Sequence, residues 1–418
     1  MNKSLQILDI RSIEIDNTLF NVTAINKDGD PYWVEFINPY FKEINVGIDI
    51  LSLNKINKNK KWFINVDING WNWSNYQTDI FESFGKIILN ELNYGNAYVI
   101  LNHQCESFTI SFFNVLYEKL EKNPSIPHNK IIYMVAAADV IREYENFVIN
   151  YNIPKNKQID IVYTHHVYKR FNHDNSLNFF KYDQTFKKEK KFLSLNRRWH
   201  DHRLLLVCLL AKENLLQHGY TSLGVMPNEV ELAQNQLDKI FQDKNNFNLI
   251  KEGFDKIKNK LPLQIDLVDL GINQFQTTSL PIDFYQKSCF SLVSSTFGFS
   301  KKEKSVGFTE KEIKPILARH PFIIHNLPRV LTHLKNMGFL TFEKWFDESY
   351  DKEENDWNRL NKIVKEVKRL SELSFEEWDQ MLDEMSPILE HNYNRLVNYT
   401  TEHCYFNSDL KKLLYYVS

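Results

Sequence analysis

Four apolar, β-branched runs with helical patterns between them, over residues 62–167, most limit what this chain can fold into. WFINVDI (62–68), YVILN (98–102), KIIYMVAA (130–137) and DIVYTHHV (160–167) read as strands. DIFESFGKIILNEL lies between the first and second, and FTISFFNVLYEKLEK between the second and third, both with apolar residues at helical spacing. A β-α-β-α-β order at about thirty residues per unit implies a parallel sheet with helices on its faces. Upstream, VTAINKDGDPYWVEF alternates apolar and polar residues around Asp28-Gly29-Asp30, the signal of a β-hairpin.

From Lys169 to Lys191 the sequence is polar and charged, ends in KKEKK, and reads as a solvated connector between domains. The alternation then restarts. KFLSLN, LQIDLVDL, CFSLVSS and PFIIH are strand-like, and HRLLLVCLLAKENLLQHG is a helix apolar on nearly every face, closed by Gly219. LPRVLTHLKNMGF is a helix with Pro328 near its start and Gly338 just past its end. Beyond about Tyr350 the chain is charged and helical, with Trp357, Trp378 and Leu389 at apolar positions, and Asp347–Asp351 reads as a solvated loop. The expected fold is α/β, with two Rossmann-like doubly wound domains facing a cleft. Residues 1–180 form the first domain, with its N-terminal β-hairpin region, 185–350 the second, and 351–418 a helical C-terminal tail. A ligand is expected in the cleft, at the carboxyl ends of the strands.

Composition narrows the function classes. The 418 residues carry 51 Lys+Arg against 53 Asp+Glu, so broad nonspecific binding to nucleic acid or anionic membrane is not expected. Cys105, Cys208, Cys289 and Cys404 lie far apart without a CxxC pair, which argues against a disulfide scaffold or a structural zinc knot. MNKSLQILDIRSIEID has charges within its apolar stretch and does not read as a signal peptide. With no apolar run of about eighteen residues, no membrane span is expected. These features predict a soluble, cytoplasmic protein.

Two segments carry the chemistry. In KFLSLNRRWHDHR (191–203) a strand ends near Asn196, and Arg197 and Arg198 follow where the chain turns into a helix. In an open α/β sheet anionic ligands dock there, because helix N-terminal amides and guanidinium forks both favour phosphate. In GFTEKEIKPILARHPFIIH (307–325), Thr309 and Glu312 fit a capping box that starts a helix at Glu310. Pro315 conflicts with a regular helix, which predicts either an irregular first turn or a start near Pro315. Both options put Glu310 and Lys311 at a helix mouth, suited to ribose hydroxyls and phosphate respectively.

Taken in order, SLNRR, the leucine-rich helix, CFSLVSST, FTEKEIKPI and PFII resemble the donor-binding half of GT-B-type glycosyltransferases, closest to the fucosyltransferase-like group and its bacterial and viral relatives. The resemblance covers about residues 190 to 350. It implies that Arg197 or Arg198 binds the donor diphosphate, that Glu310 takes the ribose and that Lys311 takes phosphate, with Asn196, Thr296 and Thr309 in the same donor site. Such relatives often have an acidic residue before the threonine where this chain has Ser294-Ser295-Thr296, so the sugar and base preference stay open. The implied reaction is metal-independent transfer of a sugar from a nucleotide-diphosphate sugar to a hydroxyl of a glycan or related acceptor. That donor is a co-substrate, and no further cofactor is expected.

Such a transfer also needs a base for the acceptor hydroxyl. In YVILNHQCESF, Glu106 follows a strand and precedes a helix and is the first choice; Asp67, at the end of WFINVDI and followed by Trp71 and Trp73, is the second. Other constellations are weaker. Asp28-Gly29-Asp30 is formally a metal-binding DxD but is explained by turn chemistry. His165 and His166 are adjacent in a strand and point to opposite faces. His200 and His202 are not spaced to share a helical face. GxxxxGK[ST] and GxGxxG are both missing from the sequence. Two alternatives stand beside the transferase: a noncatalytic nucleotide-sugar-binding protein, and a glycosyltransferase acting on modified bases in DNA. The basic cluster KINKNKK, Lys55 to Lys61, bears on the latter, although near-zero net charge disfavours nucleic acid as a partner.

Overall fold

The computed structural model describes residues 3–8, 46–51, 57–67, 81–82, 84–103, 110–135, 140–163, 186–196, 200–224, 244–265, 281–296, 298–299 and 306–398. The chain divides into two compact units: Met1–Arg170, Lys302–Gly307 and Thr401–Ser418 form one, and Phe171–Lys301 with Phe308–Thr400 the other.

The first unit holds a six-stranded sheet of β1 (Lys3–Leu8), β2 (Val46–Leu51), β3 (Trp62–Asp67), β4 (Ala97–His103), β5 (Ile131–Val135) and β6 (Asp160–Tyr163). Its order is β2-β1-β3-β4-β5-β6, and every described pairing is parallel. The expected β-α-β alternation is therefore present. The strands described in the first sixty residues enter this parallel sheet, while the hairpin read around Asp28-Gly29-Asp30 lies outside the described residues. Helices α1 (Lys86–Tyr94), α2 (Ile110–Lys122) and α3 (Val140–Asn150) bury Leu92, Leu116 and Phe147 in one cluster with Ile64, Val99 and Tyr133 of the sheet. Helix α3 has no counterpart in the sequence reading, and α1 starts only at Lys86, later than DIFESFGKIILNEL suggested. Asn57 to Lys60 form an exposed turn in which Lys58 pairs with Glu91 at 2.8 Å, a charged loop.

The second unit holds β7 (Lys190–Ser194), β8 (Gly219–Thr221), β9 (Ser288–Ser294) and β10 (Phe322–His325) in the order β10-β9-β7-β8, again all parallel. Its helices are α4 (Asp201–Lys212), α5 (Lys244–Ile257), α6 (Ile282–Gln286), α7 (Glu310–Leu317), α8 (Val330–Asn336), α9 (Asp356–Glu372) and α10 (Phe375–Asn398). On one sheet face Phe290 stacks on Trp378 of α10 at 5.3 Å; on the other Leu193 packs with Tyr285 and Ala318. The architecture is thus mixed α/β with two parallel sheets and a helical C-terminal region. No described helix is long and apolar enough to cross a membrane.

Three readings change here. Gly219 does not close α4, which ends at Lys212; Asn214 takes a left-handed φ of 56°, and Gly219 instead opens β8. A Cβ on Gly219 would sit 2.2 Å from the Phe192 ring, so the close approach of β8 to β7 calls for glycine there. KKEKK is not simply solvated. Lys188 is buried and donates to the Gln286 carbonyl at 2.8 Å, and Lys191 lies 3.6 Å over the Phe375 ring. The acidic run 347–351 is also structural rather than a solvated loop. Asp351 is buried and accepts from the Leu331 and Thr332 N–H groups at 2.8 and 3.1 Å, satisfying orphan donors of α8. Within LQIDLVDL, Leu263 makes an isolated antiparallel bridge to Leu223, and residues 266–270 lie outside the described residues.

Candidate functional site

In the second sheet the strand order reverses between β7 and β9, the place where open α/β sheets form a crevice at their carboxyl ends. Asn196 lies two residues past β7, and Ser295 and Thr296 follow β9. Asn196 is fully buried: its N–H donates to Ser222 Oγ at 3.0 Å, its Nδ2 donates to Ser194 Oγ at 3.1 Å, and its Oδ1 has no partner. Thr296 is partly exposed and meets the Lys311 ammonium at 3.3 Å.

The helix mouth beside it is built by local sequence. Thr309 accepts the Lys311 N–H at 3.3 Å, and Glu312 accepts from both the N–H and the hydroxyl of Thr309 at 2.8 Å each, so the capping box is formed. The helix starts at Glu310 on this cap, with buried Pro315 in its interior, rather than with an irregular first turn or a start near Pro315. With eight residues and both arms of the cap in place, the helix tolerates the one bond that Pro315 denies the Lys311 carbonyl.

Lys311 Nζ donates to Glu310 Oε1 at 2.6 Å, and each of the two side chains is 25% exposed. Burial opposes ionisation of Glu310, yet the adjacent Lys311 charge and hydrogen bond outweigh it and hold the carboxyl below its usual range. An accessible ammonium, a carboxylate that stays ionised and the positive end of a helix therefore meet at one mouth. A free anion brought to such a mouth would meet the helix N–H groups and the ammonium, and a hydroxyl would meet the carboxylate.

Behind the mouth is a buried network. His200 sits at the N-cap of α4 in extended conformation, so the two residues do not share a helical face, yet its ring stacks on His202 at 5.6 Å. His202 Nε2 lies 2.9 Å from the Ser295 carbonyl, which can only accept, so Nε2 carries the proton. Burial pushes the His202 pKa down to about 3, keeping the ring neutral. The same carbonyl accepts from Arg203 Nε at 3.2 Å and Nη2 at 2.9 Å. The Ser295 hydroxyl accepts from Asn326 Nδ2 at 3.0 Å, and that amide also donates to Glu312 Oε1 at 3.2 Å. Arg359 donates from Nε to the Asn326 carbonyl and from Nη2 to the Gly298 carbonyl, both at 3.0 Å. Ser294 Oγ and both ring nitrogens of His325 are buried without a partner.

Sequence reasoning named Thr296, Thr309, Glu310 and Lys311, and these four meet. It did not single out Ser295, Asn326, Arg203 or Arg359 for a role. The only local trace of this network is that Ser295 lies inside the SST run and Arg203 ends HDHR.

Of the other candidates, Arg197, Arg198, Glu106, Trp71, Trp73, His165 and His166 lie outside the described residues. Asp67 closes β3 in the first unit, in register with Asn102 of β4. Asn102 is fully buried, and both its amide atoms lack partners. Next to it His103 Nδ1 lies 2.7 Å from the Tyr133 hydroxyl, and burial lowers its pKa to about 4.

No family model matches this chain, and no curated protein matches it. Among solved structures, the N-terminal domain of Candida albicans trehalose-6-phosphate phosphatase aligns with a TM-score of 0.42 at 10% identity, covering 100% of this chain and 97% of that one. Likeness of that degree identifies neither fold nor function.

Proposed function

We propose that this protein is a glycosyltransferase of GT-B type. It would transfer a sugar from a nucleotide-diphosphate donor to a hydroxyl of a glycan or related acceptor. The observation that carries the reading is the mouth of α7, where Lys311, Glu310 and Thr296 converge beside the strand-order reversal of the second sheet. Loss of a nucleoside diphosphate develops negative charge on the leaving oxygens, and preorganised cations and helix amides stabilise it without reorganising. In this reading Lys311 and the first-turn amides of α7 take phosphate, Arg197 or Arg198 takes the diphosphate, and Glu310 accepts a ribose hydroxyl. Glu106, or failing it Asp67, removes the acceptor proton. No step in this scheme calls for a metal.

The test is a thermal-shift and donor-hydrolysis screen against GDP-, UDP- and CMP-sugars, with and without EDTA, on wild type, Lys311→Ala and Arg198→Ala. One nucleotide family should stabilise wild type, with slow release of free nucleotide that EDTA does not abolish. Both variants should bind at least about tenfold more weakly, the scale of a lost charge-assisted bond. Binding without turnover would instead identify a noncatalytic nucleotide-sugar-binding protein. No response to any nucleotide would overturn the reading.

A further inference from the structure

Two halves of the α7 mouth come from different parts of the chain. Thr296 rides on the segment after β9, whereas Glu310 and Lys311 open α7. Lys311 Nζ approaches Thr296 Oγ1 at 3.3 Å, long for a bond between two partly exposed side chains. Something more rigid has to set the distance between them. Asn326, the residue after β10, is fully buried and lies between the supports of both halves. Its two amide protons are divided, one to Ser295 Oγ at 3.0 Å and one to Glu312 Oε1 at 3.2 Å. Ser295 immediately precedes Thr296, and Glu312 is the carboxylate that completes the cap on Thr309.

The orientation of the amide is fixed independently. Asn326 Oδ1 accepts the Leu327 N–H at 2.6 Å, so a flipped amide would lose that bond and turn its oxygen toward the Glu312 carboxylate. The backbone is fixed too, since Arg359 Nε donates to the Asn326 carbonyl at 3.0 Å. Asn326 is therefore anchored on both sides before it reaches Ser295 and Glu312.

We infer that Asn326 is a positioning residue that sets the spacing between Thr296 and the Glu310–Lys311 mouth, and through it the geometry of the anion site. The inference deepens the transferase reading and rests on it for the identity of the ligand, but not for the geometry. Asn326 itself touches no ligand in this scheme; it acts through Ser295 and Glu312.

The informative substitution is Asn326→Asp, which keeps shape but replaces the donor with a second carboxyl 3.2 Å from Glu312 Oε1. Two buried carboxylates at that distance cannot both stay ionised at little cost, so one takes up a proton as pH falls and then donates to the other, remaking the bond. The charged and titratable groups that face this pair are Arg359 on the Asn326 carbonyl, Arg203 and His202 through Ser295, and Glu310 and Lys311 at the mouth. His202 and the neighbouring His325 stay neutral through the window, their pKa values lowered by burial to about 3 and well below 6.5 respectively.

The experiment has two readouts on the full chain: amide hydrogen exchange of the segment 308–317, and titration with UDP, GDP and inorganic pyrophosphate. Both are made for wild type, Asn326→Asp and Asn326→Ala, each variant being read against wild type at the same pH, with exchange of 356–372 relative to wild type as the folding control. At pH 8 Asn326→Asp is expected to speed exchange at the mouth and weaken binding by about tenfold, the effect of one lost hydrogen bond to a charged group. Near pH 5.5 it should recover most of both, whereas Asn326→Ala should not. Wild-type exchange and affinity for Asn326→Asp at pH 8 overturn the inference, as does equal recovery of Asn326→Ala at low pH. If wild type binds none of the three probes but the exchange pattern follows expectation, the transferase reading fails and the positioning role stands.

Discussion

At Ser295 a single backbone carbonyl takes three donors, one from His202 and two from Arg203, while its hydroxyl takes a fourth from Asn326. Arg203 is 2% exposed, so its guanidinium is there for geometry and not for solvent. Lysine at this position would keep the charge but bring a single point donor and a rounder head in place of the planar fork. Arg203→Lys is expected to lower the unfolding free energy by about 2 kcal/mol, read by urea denaturation. A change within about 0.5 kcal/mol would mean that the fork carries little. The same network explains what the sequence could and could not reveal. Thr309 and Glu312 are legible because a capping box closes over four consecutive residues, and the structure forms it. Asn326 and Arg203 are not, since their bonds to Ser295 span 31 and 92 residues and leave no local pattern.

Among the elements, the strands that the sequence marks most plainly are those flanked by helical periodicity, because parallel β-α-β units repeat a local rhythm. β8 lacks that rhythm: at three residues, Gly219–Thr221, it is too short to alternate, and its first residue, Gly219, reads as the end of the preceding helix. Helix α4 was legible as apolar all round, and all ten residues from His202 to Ala211 are buried. What the sequence hides is the partner that covers it. Gly253 of α5 lies so close that a Cβ there would fall 1.9 Å from the Cys208 carbonyl oxygen and 2.6 Å from its carbon. Those are backbone atoms in the middle of a buried helix, so no rotamer change relieves the clash and the two helices must separate. Gly253→Ala is expected to cost about 2–3 kcal/mol despite the better helix propensity of alanine, which alone favours it by roughly 1 kcal/mol. A variant as stable as wild type in urea would show that the α4–α5 contact is loose.

For the whole molecule, the two units differ in how they hold histidine, and this sets their response to acid. The helices beyond Tyr350, legible only as charged and amphipathic, belong to the second unit. There Trp378 stacks on Phe290 and Arg359 ties α9 to Asn326 and Gly298. Their packing closes over His325, whose pKa burial holds well below 6.5; in the same unit His202 and His320 are lowered by burial to about 3 each. In the first unit, among the described residues, His103 is lowered by burial to about 4, and burial also lowers the half-buried His128. Each ring is neutral when folded and titrates near 6.5 when unfolded, so below that value the unfolded state binds more protons. The stability these groups contribute is thus complete above about pH 6.5 and is lost as pH falls toward the folded values. Each adds a slope of about 1.4 kcal/mol per pH unit once well below 6.5, so the three described in the second unit give about 4 kcal/mol per unit of pH. Asp201 and Glu348, whose carboxyls burial raises, oppose this only as pH nears the carboxyl range. Hydrogen exchange at pH 7.5, 6.5, 5.5 and 5.0, corrected for intrinsic rate, separates the units. Segments 288–294 and 356–372 should lose protection at a higher pH than 131–135. Protection that holds evenly to pH 5, or that fails first in 131–135, would show that the histidines of the second unit gain partners or water on protonation and do not govern its acid stability.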